Sequence, residues 1–229
     1  MRVLVTRPRG DAERTARLLA ARGHVPILAP LLETRFFDGP PPDLTGVQAI
    51  LATSANGVRA FARRSPARDL PLFAVGPQTA AAAGRAGFSD VRNADGDAHA
   101  LAGAAARWAT PQGGALLHVA GEGNDGVLAA DLEARGFVVR RAILYAVEAA
   151  GALPAEAAAA LAGARLDAAL FFSPRSAAVF AALAAGLCLR GVIAACISPA
   201  AARALAPLSF AGVRVAARPN QDALLALLD

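Results

Sequence analysis

Two short segments of the chain, about 120 residues apart, share one pattern. Ile50–Phe61 reads ILATSANGVRAF, and Leu170–Phe180 reads LFFSPRSAAVF. In each segment an apolar run typical of a buried strand leads through hydroxyl or amide side chains into residues with helical character. A chain that builds a strand, a polar turn and a helix at two places is constrained to an α/β fold.

Two further pairs of segments repeat at offsets of about 115 to 120 residues. Leu18–Glu33 is similar to Asp131–Glu148, and Leu72–Phe88 is similar to Ala194–Phe210. All the pairs keep their order along the chain. The repetition therefore predicts an internal duplication that gives two similar lobes.

The spacing of apolar and polar residues also predicts individual elements. Val3–Thr6 is predicted to be a short buried strand, and a helix capped by Asp11 is predicted to end at Arg22 before Gly23. Val25–Leu28 is the next predicted strand. Further units of a strand followed by a helix begin at Ala49, Leu72, Ala115, Ala168 and Val192. This alternation predicts parallel sheets covered by helices.

Two stretches rich in Pro, Gly or Ala lie at equivalent places in the repeat, Pro30–Gly46 and Ala146–Gly163. Both are predicted linkers, and two linkers imply that the chain crosses twice between the lobes. Residues 1–33 and 150–229 would then form lobe 1, residues 34–149 would form lobe 2, and a central cleft would separate them. A single boundary at Ala109–Gly114, which gives tandem domains, is the alternative.

Composition limits the class of protein. The chain has 229 residues, of which 55% are hydrophobic, but charged residues interrupt every apolar window before the ~20 residues that span a bilayer. The N-terminal residues enter a strand without a secretory pattern. We expect a soluble, cytoplasmic, monomeric protein with no membrane partner.

The basic excess favours a small anionic ligand. The formal net charge is +5, but Arg is dispersed, and one Trp and one Tyr offer few surfaces on which bases stack. We therefore expect no nucleic-acid partner. The two cysteines, Cys188 and Cys196, and the three histidines, His24, His99 and His118, lack metal-ligand spacing. No metal site is predicted.

We use the word elbow for a place where a predicted strand ends in polar residues before a helix. Free backbone N–H groups and the helix dipole favour an anion at such a place. Ordinary helix capping is the alternative explanation for each elbow. The candidate ligand-binding residues are Thr53, Ser54 and Asn56 at the first elbow, Gly76 and Thr79 at the second, Ser173 and Ser176 at the third, and Ser198 at the fourth.

One motif favours a different function. Gly121–Gly126 reads GEGNDG and matches the G-x-G-x-x-G pattern of dinucleotide sites between a strand and a helix. An acidic partner for the ribose is missing about 20 residues later, although Arg140 and Arg141 would suit NADP. An NADP-binding α/β protein is thus an alternative hypothesis.

The motifs together resemble the uroporphyrinogen-III synthase family. The similarity rests on T-R-P at Thr6–Pro8, T-S-x-N-G at Thr53–Gly57, V-G-x-x-T at Val75–Thr79 and the single Tyr145, and it extends over essentially the whole chain. It implies a bilobal, cofactor-free enzyme, a lyase that cyclises hydroxymethylbilane with inversion of ring D to uroporphyrinogen III for heme biosynthesis. A non-catalytic bilobal protein that binds small anions would have the same elbows and stays an alternative.

The resemblance also assigns roles to residues. The elbow residues would bind the carboxylates of the substrate, and Tyr145 would be the catalytic group that assists departure of the hydroxyl. The chain departs from the family pattern at Ala200 and Ala201, where many members have Thr, and at Ala120, where many have Arg. These departures remove side-chain contacts and leave the backbone contacts in place.

Overall fold

The structure is a computed structural model that describes residues 1–123 and 126–229. The strands, in chain order, are β1 (Arg2–Val5), β2 (Val25–Leu28), β3 (Leu32–Phe36), β4 (Val47–Ala52), β5 (Leu72–Ala74), β6 (Val91–Asn93), β7 (Ala115–Gly121), β8 (Val139–Ala149), β9 (Ala168–Phe171), β10 (Leu189–Cys196) and β11 (Phe210–Val215). The helices are α1 (Arg9–Ala21), α2 (Ala55–Arg64), α3 (Pro77–Arg85), α4 (Ala98–Trp108), α5 (Val127–Glu133), α6 (Ala155–Ala162), α7 (Pro174–Leu183), α8 (Pro199–Ala204) and α9 (Gln221–Leu225).

The first helix begins earlier than the sequence predicts. Pro8, with φ −52° and ψ 145°, is the N-cap of α1, because its carbonyl accepts the first hydrogen bonds of the helix, from the N–H groups of Asp11 and Ala12 at 3.0 and 2.9 Å. The predicted capping role of Asp11 is therefore wrong; Asp11 lies in the first helical turn and pairs with Arg7 at 3.1 Å. The predicted stop at Gly23 is confirmed, since this residue follows the helix with φ +79°.

The chain divides into two compact units. Unit 1 contains Met1–Glu33 and Glu148–Asp229, and unit 2 contains Thr34–Val147. The sheet of unit 1 has the strand order β11-β10-β9-β1-β2, and all of its neighbouring pairs are parallel. One face packs against α6, α7 and α8, and the other face packs against α1 and α9. Both faces are buried, as in other α/β sheets.

Unit 2 has the strand order β3-β8-β7-β4-β5-β6. The pairs from β8 to β6 are parallel, and β3 at the edge makes the sheet mixed. The helices α2 and α3 cover one face with residues such as Phe61, and α4 and α5 cover the other with residues such as Leu101. Complete burial of a side chain like that of Phe61 stabilises the fold by about 1.5–3 kcal/mol.

The predicted α/β class and the two lobes are confirmed. Read from one edge, the sheet of unit 1 has the order β11, β10, β9, β1, β2, and the sheet of unit 2 has the order β6, β5, β4, β7, β8. The two orders correspond strand by strand, and unit 2 has β3 as an additional strand at the far edge. The internal duplication itself and the central cleft stay predictions, as do the exact domain limits.

The ranges predicted as linkers contain regular structure. The strand β3 lies in the first range, and the helix α6 lies in the second. The residues of β3 alternate between more and less buried positions, as expected at a sheet edge with one covered face. Within the described ranges, no helix is long and apolar enough to cross a membrane.

Candidate functional site

The first two elbows lie side by side in unit 2. Because β4 and β5 are parallel neighbours, their carboxyl ends lie at the same edge of the sheet. The hydroxyl of Ser54 caps α2 by accepting a hydrogen bond from the Asn56 N–H at 3.1 Å. Gly76 caps α3 with its backbone alone, and Pro77 follows as the first helical residue. Two helix N-termini, each with an excess of N–H donors, therefore begin at this edge.

The side chains of Asn56 and Thr79 have different surroundings. The Asn56 amide nitrogen donates to the Thr34 hydroxyl at 3.0 Å, and its amide oxygen accepts from Arg59 at 2.8 Å. Thr79 is buried, and its N–H donates to the Gly76 carbonyl at 3.1 Å. Asn56 is thus held in a fixed orientation, while Thr79 contributes to the packing beneath the second elbow.

His118 lies directly behind the first elbow, where sequence reasoning did not place a functional residue. It is completely buried on β7 opposite Leu51, and its Nε2 lies 3.2 Å from the Thr53 hydroxyl. Its Nδ1 has no hydrogen-bond partner among the described residues. Burial, and secondly the positive charge of Arg141, lowers the pKa of His118 to about 4. The imidazole is therefore neutral at physiological pH and orients the Thr53 side chain.

Tyr145 lies at the same edge of unit 2. It pairs with Gly121 across β7 and β8, and the aromatic ring packs directly against this glycine. A Cβ at Gly121 would lie 2.8 Å from the Tyr145 ring, so only glycine permits this close approach. Tyr145 is only 7% exposed. Within the part of the chain that the structure describes, no group forms a hydrogen bond with its hydroxyl.

The third and fourth elbows lie side by side in unit 1, because β9 and β10 are parallel neighbours. The Ser173 hydroxyl accepts from the Ser176 N–H at 3.1 Å, and the Ser176 hydroxyl donates to the Ser173 carbonyl at 3.0 Å. Ser198 caps α8 by accepting from the Ala201 N–H at 3.3 Å. These hydroxyls have capping roles, and the helix α8, with only 6 residues, has the weakest dipole of the four.

Arg7 of the T-R-P motif follows β1, next to the third elbow in the sheet of unit 1. Its guanidinium donates to Gln221 at 2.7 Å and to Asp11 at 3.1 Å, and it lies 4.3 Å from the centre of the Phe172 ring. Asp11 pairs with both Arg7 and Arg14. Its contacts join α1, α9 and the residue before the Ser173 elbow, which gives it a structural role.

The structure describes only part of the predicted dinucleotide motif. Gly121 ends β7 and Gly126 precedes α5 with φ +80°, whereas Asn124 and Asp125 lie outside the described residues. Arg140 donates to the Thr45 carbonyl at 2.7 Å and lies 3.9 Å from Asp43. The described residues contain no group of three His, Cys, Asp or Glu side chains with the geometry of a metal site.

Comparisons with known proteins agree in family and fold. The family model HEM4, uroporphyrinogen-III synthase HemD, matches residues 13–226. The uroporphyrinogen-III synthetase of Helicobacter pylori 26695 is 17% identical; the match covers 100% of this chain and 98% of that one, with a TM-score of 0.69. A mutant uroporphyrinogen III synthase of the extremely thermophilic bacterium Thermus thermophilus is 22% identical over 100% and 97% of the two chains, with a TM-score of 0.54. No curated protein matched the chain.

Proposed function

The chain belongs to the uroporphyrinogen-III synthase family of tetrapyrrole biosynthesis, and we propose that it is a cofactor-free lyase that converts hydroxymethylbilane into uroporphyrinogen III. The observation that carries this proposal is the pairing of helix N-termini at the carboxyl ends of neighbouring strands in each unit. A cytoplasmic location and a monomeric state stay predictions.

The proposed substrate matches such sites in charge. Hydroxymethylbilane is a linear tetrapyrrole with eight carboxylates. A negative group near an exposed helix N-terminus gains about 0.3–1 kcal/mol, so many such contacts hold the molecule without one decisive side chain. We assign the carboxylate contacts to backbone N–H groups and polar side chains at Thr53, Ser54, Asn56, Gly76, Thr79, Ser173, Ser176 and Ser198.

In the proposed reaction the bilane loses its terminal hydroxyl, which takes up a proton and leaves as water. The resulting electrophilic carbon is attacked by ring D at its substituted position, which gives a spiro intermediate that fragments and closes again with ring D inverted. Tyr145 would donate a hydrogen bond to the departing oxygen, since its hydroxyl has no other partner among the described residues. The close packing against Gly121 holds the ring of Tyr145 in place.

Positioning is expected to contribute more than proton donation. Free bilane closes without inversion, so the protein must hold the chain ends in the geometry of the other path. Orientation of reacting groups contributes as much as about 7–11 kcal/mol, whereas a proton donor contributes a factor of ~10² to 10⁴. The substitutions at Ala120, Ala200 and Ala201 are compatible with this balance, because they change side chains and leave the backbone groups unchanged.

Isomer analysis of the product tests this proposal. The protein is incubated with freshly prepared hydroxymethylbilane, the products are oxidised, and the isomers are separated. We expect mainly isomer III. A mixture identical to that of the buffer control would instead support the alternative of a protein that binds anions without catalysis.

A further inference from the structure

A groove with three arginines lies on unit 2 between α2 and α3. Its volume is about 360 Å³, and its lining comprises Arg59, Arg63 and Arg85 together with Phe36, Ala62, Ala82 and Ala86. The guanidinium of Arg63 lies 4.5 Å from the centre of the Phe36 ring. The groove thus combines positive charge with an apolar floor of alanine side chains and an aromatic ring.

The positive charge of this groove is not balanced. The ion pairs in the described ranges involve other cations, and none includes Arg59, Arg63 or Arg85. No Asp or Glu lines the groove. Arg59 donates instead to the neutral amide oxygen of Asn56 at 2.8 Å. Three arginines around one apolar surface favour an anionic ligand.

The groove continues from the first elbow. Arg59 contacts Asn56 at the start of α2, and Arg63 lies one helical turn beyond Arg59. At a rise of about 1.5 Å per residue, Arg63 lies about 10 Å along the helix axis from Asn56. A ligand held by the N–H groups of this elbow that extends along α2 would therefore reach Arg63, and Arg85 lines the same groove.

We propose that this arginine groove binds a carboxylate-bearing planar ring, as an outer subsite for one pyrrole of the substrate. The inference rests on the proposed function for the identity of that ring. Guanidinium groups recognise carboxylates through paired, charge-assisted hydrogen bonds. The Phe36 ring and the alanine methyl groups contact the apolar ring, so the groove selects an anion that also has a flat apolar body.

A double variant tests the groove, with a matched control. Arg63→Gln/Arg85→Gln removes two charges from the groove and leaves the elbow intact. Arg107→Gln/Arg135→Gln removes two exposed charges, one from α4 and one from the turn after α5, on the opposite face of the same sheet. Binding of uroporphyrin, an octacarboxylate, and of coproporphyrin, a tetracarboxylate, is titrated by fluorescence at two salt concentrations. The isomer III assay is run on each protein.

We expect the groove variant to bind uroporphyrin at least about fivefold more weakly than the unmodified protein, and to show a weaker dependence on salt. Its preference for the octacarboxylate over the tetracarboxylate should shrink. The control variant should change less than about twofold. If both variants bound uroporphyrin equally weakly, the effect would come from the net charge of the protein and not from the groove, and the proposal would be overturned.

The experiments can refute the groove proposal and the proposed function independently of each other. An unmodified protein that makes isomer III, together with a groove variant that binds uroporphyrin normally, would refute the groove and leave the function. A protein that makes no isomer III, but whose groove variant loses uroporphyrin binding, would refute the function and leave an anion site. Failure of the unmodified protein to bind uroporphyrin at all would refute the groove.

Discussion

The buried imidazole of His118 makes unit 2 sensitive to acid. Burial and Arg141 lower the pKa of His118 from 6.5 to about 4. In the unfolded chain the imidazole recovers its ordinary pKa. The unfolded state therefore binds a proton as pH falls below about 6.5, while the folded state stays neutral until about pH 4, and stability decreases across this window.

The size of the effect follows from the two pKa values. Each pH unit between them corresponds to about 1.36 kcal/mol, so the complete loss from His118 is about 3 kcal/mol, and about 2–3 kcal/mol of it is lost by pH 4.5. Carboxylates also titrate in this range; the pKa values of Asp43 and Asp97 are lowered by backbone hydrogen bonds from Thr45 and Ala100. Comparison with a variant at position 118 isolates the contribution of the histidine.

His118→Gln removes the titratable group and keeps a hydrogen-bonding group near Thr53. Urea unfolding is followed by Trp108 fluorescence from pH 7 to pH 4.5, because this single Trp packs 5.1 Å from Phe73 inside unit 2. The free energy of unfolding of the unmodified protein should fall by about 2–3 kcal/mol more than that of the variant. His24→Gln is the control and should follow the unmodified protein. Parallel curves for the unmodified protein and His118→Gln would refute this reasoning.

Other perturbations give further tests. Tyr145→Phe should fold and bind octacarboxylate normally but lose roughly ten- to a hundredfold in rate, about 1.4–2.7 kcal/mol, with product still mostly isomer III; unchanged turnover in a steady-state assay would show that Tyr145 is structural. Gly57→Ala places a Cβ 2.5 Å from the Val119 carbonyl oxygen and should lower the free energy of unfolding by about 1–3 kcal/mol. Gly84→Ala, at a position with open space around the new Cβ, should raise the free energy of unfolding by about 0.5–1 kcal/mol. Equal changes in the free energy of unfolding of the two variants, measured by urea titration, would contradict the close packing at Gly57. NADP should leave the melting temperature unchanged while uroporphyrin raises it; a clear shift with NADP would favour the dinucleotide hypothesis.

The sequence predicts the features that depend on neighbouring residues. The strand Val25–Leu28 has the predicted limits, because its apolar residues are bounded by Gly23 and Pro30. The elbows at Ser54 and Ser173 are also recognisable, since each hydroxyl follows an apolar run and caps the helix that begins immediately after it. A local pattern is sufficient where the stabilising hydrogen bond is itself local.

Features that depend on distant contacts were not predicted. The composition of Ala155–Ala162 suggests a linker, but packing against the sheet of unit 1 supports the helix α6. His118 resembles an ordinary core residue in sequence, and only the pairing of β7 with β4 brings it close to Thr53. Arg59 and Arg63 lie one turn apart on α2, and Arg85 joins them in the groove only because α3 lies beside α2.

Amide hydrogen exchange with and without uroporphyrin shows whether backbone N–H groups at the helix starts hold the carboxylates. We predict slower exchange in the first turns of α2, α3 and α7 when uroporphyrin is bound, because a carboxylate at a helix start accepts hydrogen bonds from backbone N–H groups and shields them from water. Exchange in the last turns of α4 and α7 serves as the internal control and should not change. Uroporphyrin binding that leaves all of these first turns unchanged would contradict the proposed mode of substrate binding.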